Sequence, residues 1–336
     1  MASLAHAPTN RTLEHPPGSS RFPTWPGRNG RGAARGVYGR ARAGGTIPHR
    51  GHRGGLCDQA GPALLRVSQA GRAIAAVRAD EPWEIRGHGA SVSTSDKTCA
   101  TTVKADRTAR GAIGVVARAT GSDLWEGAAT LASLWASLPE LPHWEALIGS
   151  AQTPLPVLCM DAPAYGTAYT VQGLMAGSGP SVGLPVDETP PDPEKRRALV
   201  ERILAPYPKA AGWSFSSDNT LSISLDPQPR HWIYVVWRGT DATGKAVTID
   251  PKLLTEEHDG LAYFRPGLGN GKAVPSPLIT WWGLLLALSS LARYEPVVWR
   301  QALDIDRSPI AWPLEQGLRV AEQRIPELVL HAITSE

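Results

Sequence analysis

Residues 278–299 read LITWWGLLLALSSLARYEPVVW and contain the most apolar run of the chain. From Leu278 to Ala292 the apolar side chains leave almost no face for water. A helix of that kind must lie at the centre of a core, covered on nearly all sides. It is not a membrane span: that needs about 20 apolar residues, and the run Leu278–Leu288 is short and holds Thr280 and Gly283. Arg293 falls in the last turn, where a cation suits the helix dipole. Pro296 cannot continue the helix but suits the first turn of another, and Glu295 before it is pushed towards extended geometry. The chain should therefore turn a corner between Arg293 and Pro296. Trp299 is expected to cover this corner, with Val297 and Val298 facing back to the first helix and Tyr294 filling the gap beside it. Arg293 then needs a partner, either a terminal carbonyl or an acid such as Glu315 or Glu322. Leu314, Leu318, Ala321, Ile325 and Leu328 recur at spacings of four and three, so a final helix offers the covering face.

The rest of the chain supplies further elements. PALLRVSQAGRAIAAVRAD, from residue 62, reads as a helix with Leu64, Leu65, Ser68, Arg72 and Ala75 near helical spacing, stopped by Asp80-Glu81-Pro82. Residues 83–93 read as a short extended piece around a glycine-flanked His88, and 94–121 are weakly patterned. SDLWEGAATLASLWASLPEL reads as a second helix with Ser122 as its N-cap and Pro139 as its stop. Between 153 and 270 the pattern changes. LPVLCMDAP and GTAYTVQGL look like strands, and TLSISLD, HWIYVVWR and KAVTID read as an antiparallel meander. One helix interrupts them, capped by Asp192, with Pro193 in its first turn. The expected architecture is α+β: helical N- and C-terminal parts packed together, with an antiparallel β insertion. The division is a Gly/Arg-rich tail over 1–60, a helical part over 61–152, a β-rich insertion with one helix over 153–275, and a C-terminal helical part over 276–336 that joins 61–152 as one domain.

Charge is distributed unevenly. The net charge is +3, yet residues 1–55 hold nine Arg, no Lys and one Glu, together with eleven Gly. With few large apolar groups to bury, that segment should not fold by itself. One reading makes it an arm that contacts RNA through charge and guanidinium stacking; the other makes its composition a product of coding bias. Cys57, Cys99 and Cys159 lack CxxC spacing, which argues against a disulfide framework or a zinc site. Without a signal-peptide pattern at residues 1–20, the expected location is cytoplasmic. No membrane contact, metal or cofactor is expected, and a protein partner stays open.

Several motifs suggest chemistry. GTDATGKA (239–246) has the spacing of a phosphate loop, but Ala246 replaces the magnesium-binding hydroxyl and VTID continues as a strand, so a hairpin turn is expected. Arg324 and His331 lie two turns apart and would share a helix face. This is the spacing of the all-helical HEPN ribonucleases, in which His is the acid/base and Arg stabilises phosphate charge. Pro326 between them should disturb the helix. The candidate binding residues are Arg293 and Tyr294 at the corner, His88 between its glycines, and Arg72.

Five stretches taken together carry a resemblance: SQAGRAIAA (68–76), GHG (87–89), LASLWASLPEL (131–141), WWGLLLALSSLARYEPVVW (281–299) and IPELVLHAI (325–333). In this order they resemble the YaaC-like family of bacterial proteins. The resemblance implies an intracellular bacterial protein and carries over no catalytic residue. The expected function is a helical binding or scaffold protein. The alternative is a HEPN-like ribonuclease or other nucleic-acid-acting, defence-associated factor.

Overall fold

The computed structural model describes residues 60–79, 84–85, 87–106, 110–160, 181–187, 190–211, 214–225, 228–240 and 245–334. The Arg-rich segment, the RNA contact expected of it, and the strand expected at GTAYTVQGL lie outside these residues.

The apolar run forms the central helix, α7 (Pro277–Tyr294), with Pro277 at its start. Every residue from Pro277 to Leu288 is buried, as are Ser290 and Leu291. Its cover comes from both ends of the sequence. Helix α1 (Ala60–Arg78) and helix α2 (Ala112–Ala119) pack on it from the N-terminal part, and α9 (Ala311–Thr334) from the C-terminal part. One apolar cluster joins side chains of all four. Leu314, Leu318, Ala321, Ile325 and Leu328 are all buried, as their spacing required. Helix α9 also runs unbroken through Pro326, which corrects the expected disturbance. The fold is α+β, with the two helical parts packed together and an antiparallel β insertion between them in the sequence.

Close packing of the helical core depends on three glycines that face tryptophans. A Cβ on Gly71 would lie 2.3 Å from the Trp282 ring, one on Gly283 2.8 Å from Trp125, and one on Gly317 2.1 Å from Trp135. All three rings are fully buried. Two of them satisfy their indole N–H within the core, Trp125 donating to the Val103 carbonyl (3.0 Å) and Trp135 to that of Pro142 (2.9 Å).

The N-terminal part differs from expectation in carrying a small antiparallel sheet of β1 (Ala90–Ser93), β2 (Thr102–Ala105) and β3 (Ala128–Thr130). The helix expected from Ser122 begins instead at Leu131 as α3 (Leu131–Ala136), because Thr130 caps it: the Ser133 amide donates to Thr130 Oγ1 at 3.0 Å. A one-turn helix, α4 (Glu145–Ile148), follows.

The insertion is a second antiparallel sheet. Its strands are β4 (Leu155–Met160), β5 (Ser181–Val186), β6 (Ser214–Leu225), β7 (Gln228–Thr240), β8 (Ala246–Thr248), β9 (Glu256–His258) and β10 (Leu261–Phe264). The order is β6-β7-β5-β4-β10-β9, with β8 also on β7. Helix α5 (Pro193–Leu204), capped by Asp192 as expected, and the short α6 (Pro208–Ala211) contribute Val200, Leu204 and Ala210 to its separate core. Strand β8 pairs antiparallel with β7 where a phosphate loop would need a helix; the turn expected at 241–244 lies outside the described residues. Arg265 ties this sheet to α7. It is buried and donates to Ser137 O (3.0 Å), Pro275 O (2.5 Å) and Thr280 Oγ1 (2.8 Å), with Glu256 at 3.6 Å.

Candidate functional site

The corner after α7 turns where its sequence required. Helix α8 (Pro296–Ala302) starts at Pro296, and Trp299 is buried. Glu295 is fixed by Thr94, whose Oγ1 donates to its carboxylate at 3.1 Å. Other expectations fail here. Tyr294 and Val297 are 65% and 56% exposed, and Arg293 is exposed as well. The cause is that α7 outruns the core by a turn: Leu291 is buried, Ala292 half-buried, and the next two residues stand clear. The acids proposed for Arg293 are used elsewhere, Glu315 by Arg319 and Glu322 by Arg66. The Arg293 guanidinium instead lies 5.4 Å from the centre of the Tyr294 ring. Stacking of this kind holds the cation while leaving its N–H edge available.

Helix α1 presents a second unpacked face. Its buried stripe is Ala63, Leu64, Val67, Gly71, Ile74 and Ala75, which corrects the expected one: Leu65 and Arg72 are exposed and Ser68 is half-buried. Leu65, Ser68 and Arg72, at spacings of three and four, share a neighbouring face. The Ser68 hydroxyl is buried and has no hydrogen-bond partner among the described residues.

The GHG loop forms the third side. Gly87 and Gly89 adopt φ of 68° and 76°, left-handed values that glycine tolerates. Gly89 crosses Gly111 so closely that a Cβ on Gly111 would sit 2.0 Å from the Gly89 Cα. The carbonyls of Gly87 and His88 accept from the amides of Ala112 (3.1 Å) and Ile113 (3.0 Å). These first donors of α2 are therefore spent on the loop, and the His88 side chain projects outwards, exposed.

The three pieces enclose one cavity of about 640 Å³, walled by α1, the loop, the start of α2 and the end of α7. Arg72, His88 and Arg293, each singled out separately in the sequence, line it together with Ser68, Gln69 and Ser289. Tyr294 does not line it, but stacks on Arg293. Among the described lining residues none is acidic. With no acid among the described lining residues, the two guanidinium groups and the hydroxyl, amide and imidazole groups beside them offer donors that suit an anion with several oxygens. Ser68 and Gln69 were missed as site residues because Ser68 was read only for its helical spacing with Leu64, Leu65, Arg72 and Ala75.

Arg324 and His331 are placed differently. The Arg324 guanidinium lies 2.7 Å from Glu327 and 3.9 Å from Glu140, whose carboxylate also accepts from the Trp281 indole at 2.8 Å. This Arg serves the contact between α9 and the segment after α3. His331 is exposed on the same helix, and neither residue lines the cavity. Among the described residues no cluster of His, Cys, Asp or Glu could hold a metal ion, and no helix is long and apolar enough to cross a membrane.

A family model described as YaaC-like Protein matches residues 67–333, which contain most of the residues lining this cavity. No curated protein and no solved structure matches the chain.

Proposed function

The chain belongs to the YaaC-like family, and we propose that it works as a binding protein that holds a small anionic ligand in the cavity between α1 and α7. One observation carries the reading: Arg72 and Arg293 come from distant parts of the sequence and line the same cavity. Packing does not explain their meeting, because both are exposed and the core closes without them. Phosphate-like groups suit the pair best, since a guanidinium offers two parallel donors to such oxygens. The cytoplasmic location expected from the sequence belongs to this reading, and cysteines that form no disulfide, Cys99 and Cys159, suit a reducing compartment.

Melting curves in rising concentrations of inorganic phosphate test it. A ligand that binds only the folded chain stabilises it by about 2.7 kcal/mol at 100 times its Kd. The melting temperature should therefore climb with phosphate concentration in the wild type and stay flat in Arg72→Ala. An equal climb in both proteins places the effect outside the cavity and overturns the assignment.

A further inference from the structure

Beyond the GHG loop lies a second, more open cavity of about 980 Å³, and Gly87 and His88 line both. The loop is thus a shared wall, with the imidazole at the crossing. A Cβ on Gly87 would meet nothing within 4 Å, so the loop crest is open above its backbone. The chemistry changes from one side to the other. The first cavity carries Arg72 and Arg293 and no described acid; the second carries Asp106, Glu126, Lys104 and Ser91.

Glu126 is well positioned. Its carboxylate accepts from Asn270 Nδ2 at 2.9 Å, and its carbonyl from the Asn270 amide at 2.9 Å. A carboxylate has about four acceptor sites, so Glu126 can take a ligand hydroxyl beside its protein partners. Two carboxylates alone would suit a cation, but Lys104 on the same wall offsets part of their charge. A wall with both acceptors and donors matches groups that donate and accept at once, which are hydroxyls.

We infer that one ligand spans both cavities and that it is a phosphorylated sugar, with its phosphate between Arg72 and Arg293 and its hydroxyls on Asp106 and Glu126. The inference rests on the anion reading of the first cavity. His88 sits where the two halves of the ligand join, able to donate to or accept from the bridging oxygen. The buried Ser68 hydroxyl, which has no partner among the described residues, gains one when an oxyanion enters the first cavity.

Titration calorimetry on the full chain tests this with three probes: inorganic phosphate, ribose 5-phosphate and 2-deoxyribose 5-phosphate. Ribose 5-phosphate should bind at least about tenfold more tightly than phosphate, as one added hydrogen bond to a charged group allows. That ratio should shrink towards one in Glu126→Gln or Asp106→Asn. The deoxy sugar, which needs no variant to fold, should fall between the other two. If phosphate and ribose 5-phosphate bind equally and Arg72→Ala abolishes both, the anion site stands and the span across the loop is wrong. A ribose 5-phosphate advantage that persists in both acid variants puts the hydroxyls elsewhere and also overturns the inference. If no probe binds, the anion reading fails and takes this inference with it.

Discussion

Helix α1 has two faces that meet different fates. On one, Gly71 lies under the fully buried Trp282 ring, and Val67 and Ile74 complete a tight seam with α7. On the other, one residue further round, Ser68 and Arg72 look into a cavity closed on its far side by Arg293 of the same α7. The same two helices are thus packed to contact along one line and held apart along the next. Glycine permits the first and charge maintains the second, because a guanidinium keeps its hydration or finds an anion rather than enter an apolar seam. Stability and binding should therefore respond to different residues a few ångströms apart.

The contrast is sharpest for the tryptophans. Trp135→Ala should lower unfolding free energy by about 3–5 kcal/mol, since a fully buried ring is replaced by a cavity; denaturant titration measures it. A loss below about 1 kcal/mol would mean that the Gly317 notch is not the tight joint described. Gly71→Ala comes next. Helix propensity alone would favour alanine by about 1 kcal/mol, but the added methyl meets a ring that cannot swing away. Overpacking of this kind costs about 1–3 kcal/mol, so the net effect should be destabilising. Gly61→Ala, in the same helix with nothing within 4 Å of the new Cβ, should be neutral or stabilising by up to about 1 kcal/mol. Equal responses at the two glycines would erase the distinction between the faces. The smallest effect on stability belongs to Arg72→Gln, expected within about 0.5 kcal/mol as for other exposed positions, although phosphate should no longer protect this variant from melting.

How much of this could be read from the sequence follows from range. The central helix, its corner at Pro296, the buried Trp299, the Asp192 cap and the stripe of the final helix are local patterns, and each is found as its spacing required. Strands β1 to β3 were not legible, because three or four residues such as Ala128–Thr130 carry no periodicity and are strands only through their partners. Thr130 outcompetes Ser122 as a cap because β3 delivers the chain to Leu131 in extended form. Tyr294 was assigned to packing because nothing local tells where a core ends along a helix. The site lies between these cases. Arg72, His88 and Arg293 each stood out for local reasons, but their meeting depends on helices more than 200 residues apart in sequence coming together at the Gly71–Trp282 seam.

The direct test of that meeting is to locate a phosphate analogue. Crystals of the full chain grown with tungstate would reveal the anion by the anomalous scattering of its metal. The expected result is a peak between the Arg72 and Arg293 guanidinium groups, within hydrogen-bond reach of both, and no peak there in crystals of Arg72→Gln. Tungstate found only at other sites, with that position empty in the wild type, would contradict the assignment of the cavity as an anion site.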